Sequence, residues 1–428
     1  VLLSPGAGDW RLAQVLSAEG GDEIAVSRLA AADLLLARGN CTLVRRVLAT
    51  VHARRDLGAA ERDTVCALYW SADSAPHEEP ELDPHVMPEL PSEPVGPAQA
   101  GVAAWAAVVE GQDIALSRRL ARAAVEEPVG RDSLLYPRLL AARALMLTDD
   151  TAESVMAFDS VILEARRRHA RAITGWALLM RAKLSARQGF LDAASVDLES
   201  ALGELPLQCW HPTVQSAFVG LELVLAMESG QFDEAERIAA AIVPSTADSG
   251  FSLMHLLFAK GVLKLYTGDP ASAIGCFDEC GRQLLSRRWA NPALLAWRTM
   301  AALARKALGQ REDAVRLVLE EVRLAELWNA PSTTGGAHLG AAMVLDGPES
   351  LAHKEKAVAV LRYSPSRLRY AAALTELAGA KEKGSAEARS LLAEAELIAT
   401  SHGAVGLVDR VRPSAAIAAK STADGRRR

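Results

Sequence analysis

Aromatic residues are scarce in this sequence, and long apolar runs are missing from it. Only 5% of the residues are aromatic although 50% are hydrophobic, and the excess consists of Ala, Leu and Val. Small aliphatic side chains let helices approach closely and pack ridge into groove. The longest apolar stretch, around Ala100 to Val109, is about half of what a bilayer requires, and nothing resembles a signal peptide. We therefore expect stacked helices, no membrane segment and a cytoplasmic location.

The net charge is small and cysteines are few. With 47 basic against 53 acidic residues the formal charge is −6, so this stretch carries no field that would draw it onto nucleic-acid phosphates. Five cysteines form an odd and sparse set, unlike the dense disulfide frameworks of secreted domains. Cys276 and Cys280 lie one helical turn apart, but no second Cys or His pair completes a metal site. Reduced thiols that pack in the core are the expected state.

The common catalytic and nucleotide-binding motifs are absent. No glycine is followed by Lys-Ser or Lys-Thr, and the stretch from Gly379 to Gly384 has the wrong order for a phosphate-binding loop. A His-Glu-x-x-His helix, a Gly-x-Ser-x-Gly turn and a deaminase-type zinc motif are missing as well. The sequence therefore predicts no catalytic residue, no metal and no cofactor in this segment, which we do not expect to be an enzyme.

What the sequence does contain is an internal repeat. A long amphipathic helix ends at a glycine, and an alanine five residues later lies in the next helix. The four clear pairs are Gly189 and Ala194, Gly230 and Ala235, Gly268 and Ala273, and Gly309 and Ala314. The glycines are 41, 38 and 41 residues apart. Small residues also stand seven positions before three of these glycines, at Ala182, Gly261 and Ala302, with Leu223 in the remaining unit.

The same step extends to both ends of the chain. Further positions that fit the spacing of about 40 residues between turns are Gly39, a place near Asp73, Gly111 with Ala115, Asp149, Gly347 with Ala352, and Gly384 with Ala388. The pattern resembles the tetratricopeptide repeat, lengthened from ~34 residues to about 40. The predicted fold is all-α, a tetratricopeptide-like right-handed superhelical solenoid of antiparallel helix pairs.

Two segments differ from the repeat. Between Pro76 and Pro97 there are seven prolines and six acidic residues but no Lys or Arg, a composition unsuited to a helix or a core. It is either a plain spacer or a docking strip for a basic partner. The predicted organisation is an N-terminal helical segment at 1–75, an acidic proline-rich linker at 76–97, the solenoid at 98–412 and a flexible basic tail at 413–428.

A binding surface is expected on the inner face of the solenoid, where the first helices of the pairs form a continuous groove. In this repeat type the inward residues fall 13, 10, 6, 3 and 2 positions before the turn glycine. The candidates for an effector or partner groove are Trp176, Leu179, Lys183, Arg187, Met227, Glu228, His255, Phe258, Tyr266, Thr299 and Lys306. Aromatic residues beside isolated charges suit a small amphipathic effector or a partner helix.

A packing role is the alternative for several of these residues. Trp176, Met227 and Phe258 are equally suited to filling the space between helix pairs, and His255 to a structural hydrogen bond. Lys183 and Arg187 are the two candidates that we expect to contact an anionic effector with little effect on folding.

Several longer stretches resemble a known family. They are Arg288-Trp-Ala-Asn-Pro-Ala-Leu-Leu-Ala-Trp-Arg298, Trp328-Asn-Ala-Pro331, Ala357-Val-Ala-Val-Leu361, Ser364-Pro-Ser-Arg-Leu-Arg-Tyr-Ala-Ala-Ala-Leu374 and His402-Gly-Ala404. Their order and spacing are similar to those in the helical region of the large ATP-binding LuxR-type regulators of actinobacteria. The likeness covers about Gly189 to Pro413 and is thin before Ala100. In the first stretch we expect an inter-repeat turn, with Pro292 opening a helix, Trp297 packed and Arg298 able to pair.

The resemblance implies a function and a set of partners. In such regulators an ATPase domain precedes the helical repeats and a helix-turn-helix module follows them, so ATP and DNA would bind outside this segment. The chain begins at Val1 and ends in three arginines, so we expect it to be part of something longer. The expected function is a signal-receiving and oligomerisation repeat domain of a LuxR-family transcription regulator of a secondary-metabolite gene cluster. Its expected partners are other domains or copies of the regulator and a small-molecule or protein effector. The alternative is a passive tetratricopeptide scaffold for protein–protein interaction.

Overall fold

The computed structural model describes residues 5–19, 22–72, 87–130, 132–241, 251–382, 384–408 and 411. In these ranges the protein is all-helical, and no described residue lies in a β-strand. The helices are α1 (Pro5–Leu16), α2 (Asp22–Arg38), α3 (Cys41–His52), α4 (Ala59–Ser71), α5 (Pro97–Glu110), α6 (Ile114–Val125), α7 (Tyr136–Leu147), α8 (Thr151–Arg167), α9 (Arg171–Gln188), α10 (Leu191–Glu204), α11 (Pro212–Glu228), α12 (Phe232–Ala241), α13 (Phe251–Tyr266), α14 (Pro270–Ser286), α15 (Trp297–Ala307), α16 (Arg311–Trp328), α17 (Pro331–Val344), α18 (Gly347–Leu361), α19 (Arg367–Ala380) and α20 (Ala386–Ser401). Within the described part of the chain, no helix has the length and apolar character that a membrane crossing needs.

Consecutive helices pack as pairs around the predicted turn positions. For example, α9 and α10 flank Gly189, and α13 and α14 flank Gly268. These glycines have φ values of 98° and 83°, a left-handed conformation that other residues resist. The same conformation occurs at Gly39, Gly111, Gly230, Gly309, Gly347 and Gly384. Asp149 takes the position without a glycine, with φ of 65°. The predicted turns are thus confirmed at these positions, while the one near Asp73 lies outside the described residues.

The alanine after each turn is the contact point between paired helices in the clear units. Ala194, Ala235, Ala273 and Ala314 are all buried. Gly261 lies equally close to its partner helix, because a Cβ built there would be 2.6 Å from the ring of Phe277.

The predicted contact alanine is wrong in two outer units. Ala115 and Ala352 are exposed, and Ser117 and Ser350 are buried nearby instead. Ala115 follows its glycine by only four residues, and α18 begins at Gly347 itself, so the register of both helices differs from that of α10. The serine hydroxyls donate to backbone carbonyls, which satisfies them inside the core.

The stretch before α15 also differs in part from expectation. Pro292 lies in a turn and does not open a helix, because α15 begins at Trp297. The other two predictions for this stretch are confirmed. Trp297 is buried, and the Arg298 guanidinium lies 3.4 Å from the buried carboxylate of Glu321.

Part of the predicted linker contacts the helical body. Residues 73–86 lie outside the described residues, as does the tail at 413–428. Met87 is buried, and the Trp70 indole nitrogen donates to the Pro88 carbonyl at 2.7 Å. Pro97 occupies the first turn of α5, where its missing N–H costs nothing.

The N-terminal helices pack against the middle of the chain. Helix α2 contacts both α7 and α9. The buried Asp33 carboxylate accepts hydrogen bonds from the backbone N–H groups of Leu135 and Tyr136, each at 2.8 Å. These donors belong to the start of α7, whose first N–H groups have no partner within the helix. Burial raises the pKa of Asp33 to about 6.

The chain folds back on itself at a nearly constant separation. Hydrogen bonds between residues 174 to 183 positions apart include those of the Thr213 side chain to the carbonyl of Gly39, the Asn291 side chain to that of Val108, the Trp328 side chain to that of Leu147, and the Ser332 N–H to the Asp149 carboxylate. In each case the earlier residue lies at or beside a turn between paired helices. The later part of the chain therefore covers the turns of the earlier part.

This arrangement divides the turns into two groups. A Cβ built at Gly39 would be 1.8 Å from the Val214 side chain, and one at Gly111 would be 2.7 Å from Asn291. We call Gly39, Gly111 and Gly189 the covered turns. Around Gly268, Gly309 and Gly347 no described atom lies within 4 Å of such a Cβ, and we call these the uncovered turns.

Candidate functional site

A cavity lies where the first helices of successive pairs converge. Its lining residues come from α2, α3, α4, α5, α7, α9, α11 and α13, from the turn at Gly39 and from the segment after α14. The cavity volume is about 60 Å³, which is room for about four water molecules. We call this space the axial cavity.

The side chains reach the axial cavity because of helical periodicity. On α9, Trp176, Met180 and Lys183 line it, and their spacing of four and then three residues puts them on one face. On α7, Tyr136 and Arg143 line it with Leu140 between them, at the same spacing. One face of α7 and one face of α9, which belong to neighbouring helix pairs, thus both line the cavity.

The ionisable Lys, Arg and His side chains of the axial cavity have no acidic counterpart among the described lining residues. They are Arg143, Lys183 and His255, and none of the described lining residues is Asp or Glu. Lys183 makes no hydrogen bond or ion pair with any described residue. Burial, and then the nearby charge of Arg143, lower the pKa of Lys183 to about 7. Burial and these two cations keep the pKa of His255 well below its usual range.

Aromatic rings form most of the remaining wall. The Arg143 guanidinium lies 4.0 Å over the ring of Trp105, which meets Trp289 edge to face at 6.1 Å between ring centres. This geometry is attractive for both the cation and the ring pair. Trp176 and Tyr136 complete the aromatic set. The indole N–H of Trp176 is buried and has no acceptor among the described residues.

Three of the predicted groove residues meet in this cavity, namely Trp176, Lys183 and His255. Leu179 and Met227 are buried in apolar clusters instead. Phe258 packs on Phe277 with ring centres 5.7 Å apart.

The remaining candidates lie outside the cavity. The buried Thr299 is close to Gly340, a Cβ at which would be 2.4 Å from its methyl group. Tyr266 is half exposed beside Phe232, and Lys306 donates to the Met343 carbonyl at 2.8 Å.

Arg187 and Glu228 belong to a separate polar cluster. Arg187 lies 3.5 Å from the Asp149 carboxylate and donates to the Ala293 carbonyl at 3.4 Å, so it joins distant parts of the chain. The expectation that Arg187 matters little for folding does not fit these contacts. Burial, and then the charge of Arg187, lower the pKa of Arg369 to about 10, while Asp149 and Glu228 raise it. This cluster contains both signs of charge, unlike the axial cavity.

Sequence reasoning missed most residues of the cavity wall, including Tyr136, Arg143, Trp105 and Trp289. Counted from Asp149, Tyr136 and Arg143 occupy the predicted inward positions 13 and 6 residues before the turn. Trp105 stands 6 residues before Gly111. The rule that selected Lys183 would have selected these three if it had been applied to the earlier units. Trp289 follows α14, outside the inward positions, so the repeat gave no signal for it.

Two other places in the described part of the chain bring titratable side chains together. His338 and His353 have their Nδ1 atoms 2.9 Å apart, near Glu326. Yet the described residues contain no group of three His, Cys, Asp or Glu suited to a metal ion. A wider depression of about 420 Å³ is lined by Lys306, Lys354, Asp346 and Glu376, whose charges offset one another. Neither place combines enclosure with a single sign of charge.

A scan against models of protein families and a search of curated proteins both find no match to this chain.

Proposed function

We propose that this chain is a tetratricopeptide-like right-handed superhelix that receives a small-molecule signal and takes part in assembly of a LuxR-type transcription regulator. The single observation that carries the signal-receiving role is the axial cavity, which is partly enclosed and is lined by side chains from α5, α7, α9, α11 and α13, among other helices. A wall of aromatic side chains with a few polar groups is typical of small-molecule sites.

The winding of the chain supports the superhelical part of the proposal. A separation of 174 to 183 residues between contacting elements corresponds to about four and a half repeats of about 40 residues. A regular superhelix brings each repeat against the one that is a full turn later, so one separation recurs along the chain.

A ligand in the axial cavity would join parts of the chain that are distant in sequence. The cavity is lined by Cys41 of the N-terminal helices and by Trp289, which follows α14. A molecule that contacts both Cys41 and Trp289 stabilises the arrangement in which the N-terminal helices and the segment after α14 lie close together. Its binding therefore shifts the population toward that arrangement. The outer surface, which carries the contacts with other copies or domains, would change with it.

The regulator part of the proposal rests on the resemblance of the stretches between Arg288 and Ala404. In this scheme the segment works in the cytoplasm and performs no catalysis. ATP binds to a separate ATPase domain, and DNA to a separate helix-turn-helix module. Control of a secondary-metabolite gene cluster belongs to the same proposal.

A passive scaffold is the second candidate function. Exposed apolar side chains on second helices favour it, in particular Met156, Leu163, Val196 and Leu397, each more than half exposed. Such side chains suit the docking of another protein. A scaffold has no use for an enclosed cavity, so ligand binding distinguishes the two functions.

The test is thermal unfolding of the chain with a panel of neutral and charged metabolites. A true ligand at 100 times its Kd should stabilise the fold by about 2.7 kcal/mol. Met180→Phe fills the cavity wall and should abolish that effect, whereas Met343→Phe, at a partly exposed position, should preserve it. Stabilisation that survives Met180→Phe would place the ligand elsewhere. A panel without any effect would favour the scaffold.

A further inference from the structure

Lys183 is a lysine inside the helical body that no carboxylate accompanies. Its amine makes no hydrogen bond or ion pair with any described residue, and none of the described residues that line the axial cavity is Asp or Glu. Lysine is seldom taken out of water without a partner, because desolvation disfavours its charged form. Burial, and then the nearby charge of Arg143, accordingly lower the pKa of Lys183 to about 7.

A neutral amine at this position is a nucleophile. An ordinary lysine, with a pKa of about 10.4, is almost wholly protonated at neutral pH, and its nitrogen then has no lone pair to donate. Desolvation and a neighbouring cation are the two features that activate lysine side chains in proteins, and Lys183 has both. Its surface is also only partly covered, since it lines the cavity, so a small molecule can contact it.

The size of the axial cavity limits what can react with this amine. The volume of about 60 Å³ holds about four water molecules, so the reactant and the group that it leaves on nitrogen must be very small. Carbon dioxide is a linear triatomic molecule that fits this space. It carries no charge, so it enters apolar surroundings at little desolvation cost. Ring-bearing electrophiles are excluded by their volume.

The surroundings of Lys183 favour the product of a reaction with CO2. A lysine carbamate is an anion with two acceptor oxygens, whereas the imine formed from a small aldehyde becomes a cation when it is protonated. Whatever else Arg143 contacts, its charge acts on the Lys183 nitrogen, and a nearby cation stabilises an anion there. Trp176 lines the same cavity, and its buried indole N–H has no acceptor among the described residues. Buried donors of this kind gain from an acceptor, which a carbamate supplies.

We propose that Lys183 is a site of reversible carbamylation by carbon dioxide in the axial cavity. The Lys183 nitrogen donates its lone pair to the carbon of CO2. An N–C bond forms while one C–O π bond breaks, and the electron pair of that bond stays on oxygen. One proton leaves the nitrogen for the solvent, so amine and CO2 give carbamate and H⁺ without an oxidant or a second substrate. The modification goes beyond the proposed function, since it does not depend on a metabolite that binds in the cavity.

Carbamylation of Lys183 should depend on pH. The titratable groups that line the cavity with Lys183 are Arg143 and Tyr136 on α7, His255 on α13 and Cys41 on α3. Only the neutral amine reacts, and its fraction rises as the pH increases through the pKa of about 7. The release of a proton also favours the carbamate at higher pH. At a fixed concentration of dissolved CO2, the ratio of modified to unmodified Lys183 should therefore be more than ~100-fold higher at pH 8 than at pH 6.

Carbon-13 NMR of the whole chain with labelled bicarbonate and dissolved CO2 provides the test. At pH 8 a carbamate resonance should appear that is lost at pH 6 and in Lys183→Met. The α-amino group of the chain, with a pKa of about 7.7 to 8.0, gives a separate resonance that both proteins share. Lys260→Met is the matched control, because burial also lowers the pKa of Lys260, but this residue of α13 does not line the cavity. The Lys183 resonance should be unchanged in that variant.

Two further measurements make the test independent of how Lys183→Met folds. Met180→Phe fills the cavity but retains the lysine, and it should abolish the same resonance. Unfolding of the wild type in guanidinium chloride should abolish it too, because the pKa of Lys183 then returns to its ordinary value. Without bicarbonate, Lys183→Met should melt at the wild-type temperature or above it, since the variant avoids the desolvation of an amine. A lower melting temperature would mean that Lys183 is structural, and would count against the proposal.

Three results would overturn the proposal. A wild-type spectrum with no carbamate resonance besides that of the α-amino group would exclude the modification. A resonance that is lost in Lys260→Met but kept in Lys183→Met would assign it to a different lysine. A Lys183 resonance that survives Met180→Phe would show that the cavity is not required. The metabolite panel, measured in buffer free of CO2, decides the proposed function separately.

Discussion

The covered and uncovered turns have the same sequence signature but different surroundings. Gly39 and Gly268 have φ values of 89° and 83°, so the local reason for glycine is the same at both. At Gly39 a Cβ would overlap the Val214 side chain, whereas at Gly268 no described atom is near. A repeat pattern therefore reveals the backbone conformation that each unit requires. It does not reveal which units are in contact with a later part of the chain.

The largest expected effect is that of Gly39→Ala in a covered turn. Strain at positive φ and the overlap with Val214 together should lower the free energy of unfolding by roughly 4 kcal/mol. Urea unfolding followed by circular dichroism measures this. The double variant Gly39→Ala with Val214→Ala should recover part of the loss. A single variant as stable as the wild type would show that Gly39 is not covered.

Asn291→Ala removes a side chain that connects two regions of the chain. Asn291 is buried, donates to the Val108 carbonyl at 2.7 Å and accepts from the Ala293 N–H at 2.9 Å. Losing both bonds should cost about 2 kcal/mol. The matched control is Thr267→Ala beside an uncovered turn, whose hydroxyl bonds only within its own helix. We expect the control to cost about 0.5 kcal/mol, and equal costs for the two would contradict the division of the turns.

Gly309→Ala examines an uncovered turn by itself. With φ of 74° and no described atom within 4 Å of a Cβ, only backbone strain opposes the substitution. The expected cost is about 1 kcal/mol, and Gly309→Asn should cost less because Asn tolerates positive φ. Thermal unfolding of both variants gives the comparison. A loss as large as that of Gly39→Ala would mean that another part of the protein covers Gly309.

Lys306→Ala should have the smallest effect. Lys306 was a groove candidate, but its ammonium donates to the exposed Met343 carbonyl and lies 3.6 Å from the exposed Asp346. Exposed ion pairs contribute only about 0.2 to 1 kcal/mol and are screened by salt. The change in melting temperature should therefore be within error at high salt, and the substitution should leave the response to the metabolite panel unchanged. A clear loss of ligand binding would restore Lys306 to the site.

The sequence predicted most local features and few of the distant ones. The turns and the buried alanines of the clear units follow from rules that act within about 40 residues, and the structure agrees with them. Counting from the turn glycine also selected Trp176, Lys183 and His255, which line one cavity. Arg143 was missed because Asp149 takes the turn position in its unit, and an aspartate gives a weaker signal than a glycine.

The distant contacts could not be predicted from the period. Whether an inward residue lines an open groove, a core or a cavity depends on how tightly the helix pairs wind. That winding accumulates over several repeats from small rotations between neighbours. Leu179 and Met227 became core residues for this reason, although they occupy inward positions. Likewise, Trp289 reaches the cavity only because the segment after α14 packs against α5.

The contacts between residues 174 to 183 positions apart also bear on how the protein folds. Arrays in which each unit touches only its neighbours can unfold one unit at a time from their ends. Here the hydrogen bonds of Asn291 and Trp328 link the opening of late helices to the loss of early ones. Hydrogen exchange should consequently show the early and late helices opening together as one cooperative unit. Such contacts also raise the mean sequence separation, so this chain should fold more slowly than an open array of equal length.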